Sequence, residues 1–229
     1  MLAAAAAAAD RLVVGVDASA AGMVEASRRA ARRTGRGGQP NALFVVAAAE
    51  ALPHELDGLA DRVTVHFPWG SLLRGLLAAD PAILDGLVRV MRPGATLSML
   101  VSSTARDRGA GVEPLDEHAL AALAVDYGRS GLEVTRTRPA TPADVAASRS
   151  TWGRRLGAGG HRPAWLLEAR LVQLGQADAG LVEAGRGLVE AGPRVGGGQA
   201  VGDGAQGVPP RLEVVQLRPL EGDRDGRAG

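Results

Sequence analysis

The sequence predicts an open α/β sheet with chiefly parallel strands, on three observations. Short β-rich runs alternate with helical stretches. Gly, Pro or Asp residues mark most of the changes from one to the other. The chain's 229 residues, 46% of them apolar, suffice for one sizeable core.

The elements follow in order. Met1 to Ala9 is apolar but lacks a basic flank and is too short to span a bilayer, so it reads as a piece of helix. Arg11 to Val16 is a strand ending in Asp17, and Ser19 opens a helix reaching about Arg33. A Gly-rich turn, Gly35 to Gly38, precedes strands at Ala42 to Val46 and Arg62 to Phe67. Helices at Ser71 to Ala79 and Pro81 to Met91 lead through Arg92-Pro93-Gly94 into a strand at Ala95 to Ser102. Residues 104–116 read as loop, followed by a helix at Glu117 to Ser130 and a strand at Leu132 to Arg138. Thr141-Pro142 is an N-cap and first-turn pair, which predicts one helix from Thr141 to Leu156. A strand at Ala164 to Gln173 completes the expected domain, residues 1–173. Residues 174–229 are Gly-rich and expected to be disordered, with a strand at Arg211 to Leu217 as the lesser expectation.

Composition narrows the chemistry. Cysteine is absent, which excludes disulfides, thiolate catalysis and Cys-based metal sites; a reducing cytoplasm fits. The four His residues have no ligand spacing, so no metal is assigned, and no run of eighteen apolar residues suggests a membrane span. Net charge is only +1, so a nucleic-acid surface has to come from local clustering. One cluster qualifies: Arg28, Arg29, Arg32, Arg33 and Arg36 follow one another with no acid between Ala26 and Gln39. Such a run is either a solvated helix face or a phosphate-binding surface.

Asp17 ends the first strand, where an acid either caps the following turn or accepts hydrogen bonds from ribose hydroxyls. Trp69 follows a strand directly, and Trp152 sits between Arg149 and Arg154-Arg155, in a chain with three Trp, two Phe and one Tyr. Taken singly, each is a core or edge-covering side chain as readily as a platform for a flat ligand. Trp165, within an apolar run, reads as core.

Four segments together resemble one family: Val14-Gly15-Val16-Asp17, Ala47-Ala48-Ala49-Glu50-Ala51-Leu52-Pro53, Phe67-Pro68-Trp69-Gly70-Ser71-Leu72-Leu73 and Ser150-Thr151-Trp152-Gly153-Arg154-Arg155-Leu156. They are similar to the aminoglycoside-resistance 16S rRNA methyltransferases of the Kam and Npm type, which modify N1 of adenine-1408 in the decoding site. The resemblance runs from about residue 10 to 173 and implies a class I, Rossmann-like fold with S-adenosylmethionine as cofactor. It implies further that Asp17 binds the cofactor ribose and that Ala48, Ala49 and Glu50 face its adenine. Trp69 and Trp152 would stack on either side of a flipped target adenine, with Ser150 supporting the second tryptophan or the substrate. Arg28, Arg29, Arg32, Arg33, Arg36, Arg155 and Arg162 would meet 16S rRNA in the assembled 30S subunit.

The family's domain opens with a strand and an Asp-x-Gly-x-Gly loop that cradles the cofactor, and nothing of that kind precedes Asp17. The expectation is therefore a sheet without its first, central strand, explained by a coding start further upstream or by decay of the gene. Two other readings stay open: a non-catalytic rRNA-binding remnant, and a methyltransferase with another substrate.

Overall fold

A computed structural model of the chain describes residues 1–172 and 211–218. Among the described residues, seven strands form one sheet in the order β2-β1-β7-β3-β4-β6-β5. They are β1 (Arg11–Asp17), β2 (Ala42–Val46), β3 (Ala60–His66), β4 (Met91–Val101), β5 (Leu132–Pro139), β6 (Trp165–Leu171) and β7 (Arg211–Arg218). β1, β2, β3, β4 and β7 run parallel, while β6 lies antiparallel between β4 and β5. The central strands read as nearly continuous Val, Leu and Met because both faces are covered, as parallel sheets require. The helices are α1 (Leu2–Ala7), α2 (Ala20–Ala30), α3 (Gly70–Leu77), α4 (Pro81–Val90), α5 (Glu117–Arg129), α6 (Pro142–Ser148) and α7 (Thr151–Arg155). None among the described residues is long and apolar enough to cross a membrane.

The largest departure from expectation is β7. Instead of a vacant centre, the sheet has this C-terminal strand between β1 and β3, in register with Val14 through Val214 and with Val63 through the same residue. β1 and β3 each have a full edge of N–H and C=O groups on the sides that face each other, and a parallel strand between them satisfies both edges. Residue 173, the end of the expected domain, and residues 174–210 and 219–229 of the expected tail lie outside the described residues.

Two local differences have local causes. The Arg92-Pro93-Gly94 turn lies inside β4, where the pairing with β3 slips between Ala60↔Met91 and Arg62↔Thr96, because proline lacks a ladder N–H and Gly94 adopts φ +78°. The single helix expected from Thr141 to Leu156 is broken into α6 and α7. Arg149 turns to φ +51°, and Ser150 caps a new helix start by accepting a 3.0 Å hydrogen bond from the Gly153 N–H.

The main core lies between the sheet and α3, α4 and α5. Leu73, Leu76, Leu84, Leu87, Leu97, Met99 and Leu120 are almost fully buried. Tyr127 is sealed in the same layer, and its hydroxyl donates to the Leu76 carbonyl at 3.0 Å, tying α5 to α3. Burial without charge compensation raises its pKa far above the usual phenol range. A second cluster, comprising Phe67, Leu100, Ala140, Val145, Ala158, Ala164 and Leu166, sits under the tryptophan segments and gives them a rigid base.

Candidate functional site

The carboxyl ends of β1, β7, β3 and β4 share one edge of the sheet, and the chain reverses direction there: β2 lies on one side of β1, while β4 lies beyond β3. Open α/β sheets bind ligands in the crevice at such a switch point. Asp17 ends β1 at this edge and is only 3% exposed. One of its carboxylate oxygens accepts a 2.8 Å hydrogen bond from the Ser19 N–H, so Ser19, not Asp17, is the N-cap residue of α2. A carboxylate in this position is a group that could accept hydrogen bonds from ribose hydroxyls.

The Ala47 N–H donates to the Asp17 carbonyl at 3.1 Å, which brings the following loop beside the acid. There Ala49–Ala51 forms a short 3-10 turn, with Ala49 buried and Glu50 exposed. Gly86 of α4 makes this possible: a Cβ on it would lie 2.0 Å from the Ala49 carbonyl oxygen. Arg89, one turn on, donates to the Leu52 carbonyl at 2.6 Å and pairs with Asp57. Ala48, Ala49 and Glu50 thus form a wall braced from α4, next to Asp17.

Trp69 and Trp152 come together although 83 positions' worth of chain folds between their segments' helices and strands; their ring centroids lie 6.0 Å apart at an interplanar angle of 69°. That is an edge-to-face contact. Two indoles holding a base between them would stand about 7 Å apart and nearly parallel, given van der Waals contacts of about 3.5 Å on each side. Here the pair is closed on itself, with Trp69 half-buried and Trp152 38% exposed. Ser150 is 1% exposed and uses its hydroxyl to cap α7, so its role in this structure is to orient the Trp152 helix. Ser150→Ala should cost about 1 kcal/mol of stability, measured by denaturant titration, from the lost cap.

The helix that precedes this segment is also pinned. Asp144 closes a capping box with Thr141 and takes a two-pronged ion pair from Arg138 at 2.6 and 2.8 Å. Those donors hold its carboxyl far below the usual range.

Of the basic residues, Arg28, Arg29, Arg32, Arg33 and Arg36 are all exposed. α2 ends at Ala30, so only the first two lie on the helix; the rest lie on the turn beyond it, short of the expected helix end at Arg33. Arg155 is exposed on α7. Arg162 differs from the expectation: its side chain is 14% exposed, and its guanidinium donates to Asp107 at 2.6 Å and to the Ser102 hydroxyl at 2.8 Å. A guanidinium held by a buried carboxylate braces two loops against each other and is not presented to phosphate.

His66, at the end of β3, carried no signal in the sequence beyond its position. Its Nδ1 is buried with no hydrogen-bond partner among the described residues. Burial first, then the positive amino terminus, lowers its pKa from 6.5 to about 4. The imidazole is therefore neutral when folded. Its contribution to stability is complete above pH 6.5 and falls as the pH drops toward 4, because the unfolded chain takes up the proton first. The loss should approach about 3 kcal/mol over that window, and His66→Gln should remove that portion of the pH dependence in guanidinium titrations. Among the described residues no group of three or more acids and histidines could hold a metal ion.

Residues 1–171 match the NpmA family, 16S rRNA (adenine(1408)-N(1))-methyltransferase. The enzyme of that description from Streptoalloteichus tenebrarius is 38% identical over 151 residues, which cover 64% of this chain and 69% of that one. Among solved structures, a variant of the 16S rRNA (adenine(1408)-N(1))-methyltransferase from Catenulisporales acidiphilia with cosubstrate SAM superposes with a TM-score of 0.68 at 32% identity, covering 76% of this chain and 81% of that one. The aminoglycoside resistance methyltransferase NpmB1 gives 0.64 at 37% identity, covering 75% and 81%.

Proposed function

We propose that this chain, which belongs to the 16S rRNA (adenine(1408)-N(1))-methyltransferase family, methylates N1 of that adenine in the 30S subunit and so confers aminoglycoside resistance. The observation that carries the reading is the convergence of Asp17, the Ala48-Ala49-Glu50 wall and the Trp69–Trp152 pair at one sheet edge.

Asp17 accepts hydrogen bonds from the cofactor ribose, and the Ala48-Ala49 wall bounds its adenine. S-adenosylmethionine would supply a methyl group on a sulfonium sulfur, and as N1 bonds to the methyl carbon the carbon–sulfur bond would break and the neutral thioether would leave. A base stacked in a helix cannot present N1, so the target is extruded at a cost of about a few kcal/mol. Trp69 and Trp152 part to receive it, and stacking on aromatic faces returns roughly 1 to 3 kcal/mol. Positive charge grows on the base as the bond forms, and indole faces favour a cation by about 0.5 to 2 kcal/mol. The attacking lone pair carries no proton, so the site needs no general base and works by alignment. Arg28, Arg29, Arg32, Arg33, Arg36 and Arg155 hold phosphates and set the orientation on the rRNA.

Purified 30S subunits incubated with this protein and methyl-labelled S-adenosylmethionine should gain one methyl group, at adenine-1408. No incorporation, or a methyl on another nucleotide, refutes the reading. Reversing Arg28, Arg29, Arg32 and Arg33 to Glu should weaken subunit binding at least 10-fold at 0.1 M salt and flatten its salt dependence, since each phosphate contact releases counterions.

A further inference from the structure

The two tryptophan segments meet at a point that neither indole occupies. Phe67 is 2% exposed, and its ring lies against the backbone of Gly153, the residue after Trp152. A Cβ on Gly153 would fall 2.4 Å from Cε2 of Phe67 and 2.5 Å from Cδ2, so only glycine leaves the notch that the ring fills. Both partners are held in place. Phe67 adopts φ +52°, uncommon for a residue with a side chain, and its N–H donates to the Leu100 carbonyl at 2.7 Å. Gly153 donates to the Ser150 hydroxyl at 3.0 Å, and its carbonyl accepts from the Ala158 N–H at 3.1 Å. From Phe67 the chain passes through the buried Pro68 to Trp69; from Gly153 it passes directly back to Trp152.

We propose that Phe67, seated in the Gly153 notch, is a positioning residue that sets the distance and angle between the two indoles. The inference rests on the function proposed above and assigns that site its fulcrum. Strain persists in a fold only where surrounding contacts over-determine it, and the strained Phe67 backbone adjoins the segment whose geometry has to be accurate. With the Phe67–Gly153 contact fixed, Trp152 can turn away from Trp69 to admit a base while both segments keep their relation to the sheet. Without it, the 6.0 Å edge-to-face arrangement has no fixed reference.

The test uses the full chain with Trp165→Phe, so that only two indoles report. Their edge-to-face coupling gives an exciton signature in circular dichroism that needs neither cofactor nor rRNA. Gly153→Ala should abolish that signature and lower kcat for methyl transfer at least 10-fold, while calorimetry shows S-adenosylmethionine affinity within 2-fold of the parent. Gly153→Ala combined with Phe67→Leu, which relieves the clash but leaves a smaller pivot, should regain thermal stability and only part of the exciton signal. Full return of the signal with leucine in place, or an unchanged signal in Gly153→Ala, overturns the proposal. The signal is read without substrate, so failure of the parent to methylate 30S subunits would refute the proposed function and leave this test standing.

Discussion

Replacing Trp69 or Trp152 by alanine should lower kcat/KM for methyl transfer to 30S subunits by roughly 10- to 100-fold each, the equivalent of about 1 to 3 kcal/mol of lost base stacking. Affinity for S-adenosylmethionine should stay unchanged, because the residues proposed to face the cofactor, Asp17, Ala48, Ala49 and Glu50, belong to other segments. The double variant should lose less than the product of the two single losses, since the indoles touch each other and would hold the same base. Phenylalanine at either position should retain most of the activity, because a π face remains. Steady-state transfer of labelled methyl decides the matter: activity within 2-fold of wild type in both alanine variants removes the tryptophans from the site.

Val214→Pro should destabilise the sheet strongly. Val214 pairs with Val14 on one side and Val63 on the other. A proline there removes a ladder N–H and leaves its acceptor carbonyl unsatisfied inside the sheet, a cost of about 1 to 3 kcal/mol. For a chain of this size that corresponds to a fall in Tm of roughly 2 to 12 °C. Cofactor affinity should fall with it, because β7 separates β1, which ends in Asp17, from β3, which leads to Trp69. Scanning calorimetry on wild type and variant gives the answer, and a Tm shift below about 2 °C would mean that β7 is not a working member of the sheet.

β7 also shows why part of the fold is not legible in sequence. Arg211 to Leu217 has strand character, but the Gly-rich stretch before it gives no local reason to join a sheet whose other strands end near residue 171. Partner choice is settled elsewhere, by the unpaired edges that β1 and β3 turn toward each other. The break at Arg149 is a subtler case. Thr141-Pro142 correctly marks a helix start, but the competing cap at Ser150 is recognisable only once Gly153 is placed to donate to it. Arg162 shows the same limit for charge. Its neighbourhood in sequence is basic, and the acid that claims it, Asp107, lies in another loop.

By itself the sequence determined the alternation of strands and helices, Asp17 at the end of its strand, the exposed arginine run and the order of the four motifs. These depend on periodicity, turn chemistry and residue type, which act over a few neighbours. Tertiary structure alone decided that a C-terminal strand fills the centre of the sheet, that Arg162 turns inward and that the two indoles meet edge to face around the Phe67–Gly153 contact. Those outcomes depend on which backbone edges, carboxylates and rings come within a few ångströms of each other, and segments far apart along the chain supply them.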